Sequence, residues 1–164
     1  MSERKRGFEP VFDENSKVLI LGSFPSVKSR EIDFYYGHKQ NRFWKMLCGY
    51  FQEEIPQTIE GKKEFLFRRK IALWDIVQSC EIVNSDDATI QKEEIVDLNK
   101  VFSVAKIEKI ILNGEKACKL FLKAYKRIEI PYSKMQSTSP RNGHYQQEGW
   151  WQVLDEVFRI SQRT

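Results

Sequence analysis

Three strand-like runs dominated by apolar residues constrain the fold of this chain more than any other feature. Residues 17–21, 71–77 and 107–113 read Lys-Val-Leu-Ile-Leu, Ile-Ala-Leu-Trp-Asp-Ile-Val and Ile-Glu-Lys-Ile-Ile-Leu-Asn. A strand covered on both faces shows little polar alternation, so such runs mark strands inside a layered protein. Between them lie stretches of helical period. Residues 41–51 set Phe43, Trp44, Leu47 and Phe51 on one side, and residues 59–69, 92–102 and 115–125 read as further helices. Residues 128–130 form a short strand closed by Pro131, and residues 135–140 a brief strand ending in a turn. A last helix covers 146–160, with Trp150 and Leu154 inward. Strands alternating with helices predict an α/β fold whose sheet is mostly parallel and covered on both faces.

The chain has 164 residues, which suits a single domain, 1–164, with residues 1–16 as a mobile lead-in. A hydrophobic content of 41% and an aromatic content of 13% supply a core and exclude disorder. The charged N-terminus lacks an apolar signal core, and no run approaches the ~20 residues that cross a bilayer. A cytoplasmic protein with no membrane partner is expected. Cys48, Cys80 and Cys118 are odd in number and widely spaced, which fits neither a disulfide framework nor a zinc site. His38 and His144, the only histidines, have no ligand-spaced neighbours, so neither a metal nor another cofactor is expected. The net charge of +4 permits a polyanionic partner without identifying one.

In an open parallel sheet, ligands bind beyond the carboxyl ends of the strands. The segments after Leu21, Val77, Asn113 and Gln136 are therefore where chemistry is sought. The first is Gly22-Ser23-Phe24-Pro25-Ser26, a turn that can bring backbone N–H groups close to a carbonyl or phosphate. It can equally be a plain structural turn. The last is Ser137-Thr138-Ser139-Pro140-Arg141, whose hydroxyls, amides and guanidinium suit a DNA phosphate, or whose Ser and Thr cap the final helix. Upstream, residues 35–44 gather Tyr36, His38, Asn41 and Arg42 just before a helix. An aromatic plate flanked by hydrogen-bonding groups suits a flat, polar heterocycle. Phe43 and Trp44 read as core, Tyr36 as the better stacking ring, and Asn41 also as a helix N-cap. Asp75 is either a catalytic carboxylate or a cap at its strand end.

Those three segments, in that order and spacing, resemble the uracil-DNA glycosylase superfamily, and most closely its hypoxanthine-DNA (deoxyinosine) glycosylase branch. The resemblance spans nearly the whole chain, and Asn41-Arg42-Phe43-Trp44 is its most specific part. It implies a three-layer α/β/α domain that hydrolyses the N-glycosidic bond of a deaminated base in DNA: hypoxanthine, uracil or xanthine. It further implies a catalytic Asn41, a base site at Gly22, Ser23, Phe24, Tyr36 and His38, and a DNA grip at Ser137, Thr138, Ser139, Pro140 and Arg141. A monomer is expected. Many superfamily members carry Asn or Asp in the first loop, where this chain has Phe24, which favours the branch relying on Asn41. Lys39 stands where Pro is usual, and Met135-Gln136 where Leu-Pro is usual.

Two other readings compete. A non-catalytic nucleic-acid-binding module on the same fold would release no free base. A small-molecule nucleotide-binding protein would lack affinity for duplex DNA, and neither GxGxxG nor GxxxxGK[ST] occurs here.

Overall fold

The computed structural model describes residues 3–159. Its centre is a four-stranded sheet ordered β3-β2-β6-β7 and parallel throughout, built from β2 (Val18–Gly22), β3 (Ile71–Asp75), β6 (Lys109–Asn113) and β7 (Tyr132–Met135). Strands β2, β3 and β6 are buried at every residue, as their mostly apolar runs demand. Alternation still divides them between two cores. Val18, Ile20 and Leu73 face α2 (Phe43–Tyr50), α3 (Ile59–Arg68) and α6 (Gln147–Asp155). Leu19, Leu21 and Ala72 face α4 (Asn99–Phe102), α5 (Glu115–Ala124) and a second sheet. The expected three layers are present, and α1 (Val27–Ile32) follows the first turn.

The second sheet is where the fold departs from expectation. It is antiparallel, ordered β1-β4-β5, with β1 (Glu3–Arg6), β4 (Val77–Ile82) and β5 (Gln91–Ile95). The run 71–77 is thus not one strand. After Asp75 the chain leaves the parallel sheet: Ile76 N–H donates to Gly22 O (2.8 Å) and Val77 N–H to Ser23 O (3.1 Å). Both parts are buried, so hydropathy carries no mark of the break. Residues 92–102 are not one helix either. Gln-Lys-Glu-Glu favours helix locally, yet pairing with β4 draws it into β5, leaving only α4 helical.

The lead-in is ordered over its described part. Glu3–Arg6 pairs with β4, and Val11 exchanges two 2.9 Å backbone hydrogen bonds with Leu73. An edge strand of charged residues has no apolar pattern to betray it. Residues 128–130 are irregular, and the strand begins beyond Pro131, so 135–140 contributes only Met135 to it. The last helix ends at Asp155, and the expected terminus at residue 160 lies outside the described residues. Among the described residues no helix is long and apolar enough to cross a membrane.

Candidate active site

A cavity of about 410 Å³ opens at the carboxyl edge of the parallel sheet, within the range of small-molecule sites. Gly22, Ser23, Phe24, Tyr36, His38, Asn41, Ser137, Thr138, Ser139, Pro140 and Arg141 all line it, joined by Asp75, Asp87 and Asn113. The sequence-predicted residues therefore converge. A larger cavity of about 530 Å³, with Arg6, Trp74 and Lys100 in its wall, shares no lining residue with it. Convergent polar groups and perturbed carboxyls single out the smaller one.

The turn after β2 has committed its acceptors and kept its donors. Gly22 O and Ser23 O accept from Ile76 and Val77, whereas neither the Ser23 nor the Phe24 N–H meets a protein acceptor among the described residues. The Phe24 ring is buried in the second core with the Arg30 guanidinium 5.5 Å above it. Ser23 Oγ donates to Asp87 Oδ2 at 2.7 Å.

Tyr36 sits at φ 54°, a left-handed conformation that strains an aromatic residue. Its neighbours hold it there: Ser29 Oγ accepts from Gly37 N–H at 2.8 Å, and Trp44 Nε1 donates to Tyr35 O at 3.0 Å. One face of the Tyr36 ring stacks on Phe43 at 4.0 Å between centroids, so only the opposite face is left for a ligand. Phe43 and Trp44 are core, as expected.

Asn41 precedes α2. Its Oδ1 accepts from Phe43 N–H at 2.9 Å, which fixes the carboxamide and leaves Nδ2 without a protein partner among the described residues. The helix N-cap is Arg42, with no side-chain cap bond, so Asn41 is not the cap expected of it: it braces the turn just before the helix and lines the cavity. His38 Nδ1 accepts from Gln40 N–H at 3.0 Å, tightening the same loop.

The second loop is built the opposite way. Thr138 is buried, its N–H donating to Asn113 Oδ1 and its Oγ1 accepting from Asn113 Nδ2, each at 3.1 Å. Ser139 N–H donates to Ser137 Oγ and Arg141 N–H to Ser139 Oγ. Those amides are thus closed to a phosphate, and the outward groups are hydroxyls and the exposed Arg141. Gly114, at φ 100°, lets the loop pass: a Cβ there would stand 3.1 Å from Ser137 Cβ. Arg42 ties this loop to α2. Its guanidinium donates to Ser139 O and, at 2.8 Å, to Asn142 O, and lies 4.5 Å from the Tyr145 ring.

On the floor lie two buried polar groups with no hydrogen-bond partner among the described residues, Asp75 Oδ2 and the Tyr36 hydroxyl. Burial and the facing Asp87 push the Asp75 carboxyl up to about 7. Burial and Asp75 raise the Tyr36 hydroxyl. The Asn113 amide stands near enough to temper that rise, yet its polar atoms are engaged by Thr138 and form no well-aligned bond with the phenol. Burial raises Asp87 as well, countered by its bond from Ser23. Among the described residues no three His, Cys, Asp or Glu side chains cluster as metal ligands.

Sequence reasoning missed Asp87 and Asn113 as parts of this site. Asn113 ends a strand at the ligand edge, which was signal enough to examine it. Asp87 sits in a polar turn 64 residues from Ser23, and nothing local distinguishes it.

Fold and cavity together define a three-layer α/β protein with a heterocycle-sized pocket at the strand carboxyl ends. The family model of the uracil DNA glycosylase superfamily matches residues 9–157. A hypoxanthine DNA glycosylase of Methanosarcina barkeri is 37% identical over 116 residues, covering 70% of this chain and 73% of that protein. Another of Methanosarcina acetivorans is 38% identical over 115 residues, covering 69% and 73%. The solution NMR structure of a candidate uracil DNA glycosylase from Methanosarcina acetivorans superposes with a TM-score of 0.82 at 31% identity. It covers 97% of this chain and 99% of that one. The chain belongs to the uracil DNA glycosylase superfamily.

Proposed function

We propose that this chain is a monofunctional DNA glycosylase that takes a deaminated base out of the duplex and hydrolyses its glycosidic bond, with hypoxanthine as the main substrate and uracil or xanthine as lesser ones. Superfamily membership supports the activity, and two hypoxanthine DNA glycosylases among its relatives support the lesion. The observation that carries the reading is the convergence of three distant segments on one cavity at the sheet edge. The chain acts as a single-domain monomer in the cytoplasm in this reading.

The target bond lies inside the helix, so the nucleotide must rotate out, at a cost of a few kcal/mol that a mispaired base lowers. Tyr36 takes the extruded base on its free face. The Ser23 and Phe24 N–H groups, already aimed at no protein acceptor, donate to its carbonyl. As the bond breaks, negative charge gathers on the base, and fixed donors in a water-poor pocket stabilise it. Asn41 is the catalytic amide. Nδ2 is available to the base, and Oδ1, with its second lone pair, to a proton of the attacking water. An amide is a weak base, but an oxocarbenium ion needs only a well-placed water. Ser137, Ser139 and Arg141 hold phosphates, Pro140 stiffens the loop, and Thr138 acts from beneath by anchoring it to Asn113.

The test is a single-turnover panel of duplexes carrying hypoxanthine, uracil or xanthine, developed by cleavage at abasic sites. Fastest release from hypoxanthine is expected. DNA binding with no abasic product from any lesion would leave the non-catalytic module.

A further inference from the structure

We infer that Asp75 is a catalytic acid that protonates a ring nitrogen of the departing base from the floor of the cavity. This rests on the glycosylase reading above and adds a proton transfer to it. Buried polar atoms are ordinarily paired. Here two unpaired ones, Asp75 Oδ2 and the Tyr36 hydroxyl, lie in the wall of the same cavity. The two side chains converge on Gly22, where a Cβ would collide with the other carboxyl oxygen, Asp75 Oδ1, and stand 3.0 Å from the Tyr36 hydroxyl. A residue without a side chain is what allows the carboxyl and the phenol to share that floor.

Electrostatics decides which form of the carboxyl serves there. An ionised Asp75 would face negative charge growing on the base and would oppose bond cleavage. A neutral carboxyl donates a hydrogen bond to that charge and then its proton. Burial and one facing carboxyl favour the neutral form. Asp87 faces it from the turn at Asp87–Thr89, whereas Tyr35 and Tyr36, from the segment after α1, are phenols that Asp75 itself keeps uncharged. Lys116 and Arg141 act on Asp87, and no cation contributes to the shift of Asp75 itself. With burial and Asp87 holding it neutral to about 7, the acid is available at physiological pH.

The step balances as a hydrolysis. The Asp75 O–H bond breaks and its proton passes to a ring nitrogen. The bond from C1′ to the base breaks with its electron pair going to the base, which leaves neutral. Water oxygen bonds to the resulting oxocarbenium carbon. The proton that this water loses restores the Asp75 carboxyl.

The experiment is single-turnover release of hypoxanthine across pH 5.5 to 9 ~ with saturating enzyme, for the wild type and Asp75→Asn. The wild-type rate is expected to fall as pH rises through Asp75 ionisation, and Asp75→Asn to be slower by roughly 10²-fold at low pH with that fall abolished. Duplex affinity of the variant should stay near wild type. A variant that keeps the alkaline fall, or that matches the wild-type rate, overturns the assignment. Carbon-13 titration of the Asp75 carboxyl in the wild type guards against a misfolded variant: an Asp75 ionised throughout this range overturns it as well. A wild type that excises no lesion fails earlier, and overturns the glycosylase reading together with this one.

Discussion

The turn after β2 and the loop after β7 line one cavity, yet they are held by opposite means. Gly22 and Ser23 have their carbonyls tied, and the Ser23 and Phe24 amides are left over, beside a buried carboxyl. In residues 137–142 the Thr138 amide is tied to Asn113 and those of Ser139, Arg141 and Asn142 within the loop, while Arg42 holds the Ser139 and Asn142 carbonyls, leaving hydroxyls and a guanidinium outward. Free N–H groups and a neutral acid suit an electron-rich base. Hydroxyls and a cation suit a phosphate, whose position they fix without reading sequence. On the proposed function, the difference gives chemistry to one wall and grip to the other, with Asn41 and Arg42 adjacent at the seam.

The largest effect should come from Asn41 on that seam. Asn41→Ala is expected to slow single-turnover excision by about 10²-fold or more while duplex affinity changes only a few-fold. Unchanged excision would erase the division between the walls. Arg42→Ala should come next. Losing its hold on the loop is expected to lower excision about tenfold and stability by about 1–3 kcal/mol. Arg42→Lys should not restore either, because a single ammonium cannot span the carbonyls that the fork reaches. A Lys variant matching the wild type in both assays would show that the grip wall needs no such clamp.

Asp75 sharpens the chemical wall through stability alone. Its folded value of about 7 lies above the ordinary 3.8, so the folded protein binds the proton more tightly than the unfolded chain. Its contribution is fully present below about 3.8 and is lost as pH rises toward about 7. Asp75→Asn should therefore gain on the wild type in denaturant melts as pH rises from about 4 to about 8, by roughly 1 kcal/mol or more. A variant that loses ground to the wild type over that range would contradict the sign. The smallest effect belongs to the grip. Arg141→Ala should weaken duplex binding a few-fold, reduce the salt slope by about 1 and leave excision at saturating enzyme intact. A large fall in excision there would move chemistry onto the second loop.

The strands at 18–22 and 109–113 and the helices at 43–50, 59–68 and 115–124 were legible because burial on one face or two imprints a period on neighbouring residues. The site segments were legible because turns at strand ends carry distinctive residues: Gly22 and Pro25 in one, Ser137 and Pro140 in the other. The second sheet was not. In β5 local propensity pointed to helix and pairing with β4 overruled it, and β1 is a charged edge strand held through its backbone.

By itself, then, the sequence determined the layered α/β core and the identity of the residues that rim the pocket, since both follow from periodicities and turns a few residues long. Only the tertiary structure decided what those residues can do. It set Asp87 against Asp75, closed Thr138 onto Asn113, and left Asn41 one free amide edge beside the Arg42 clamp. Protonation and hydrogen-bond availability depend on groups brought within a few ångströms from tens of residues away, and no local pattern records that approach.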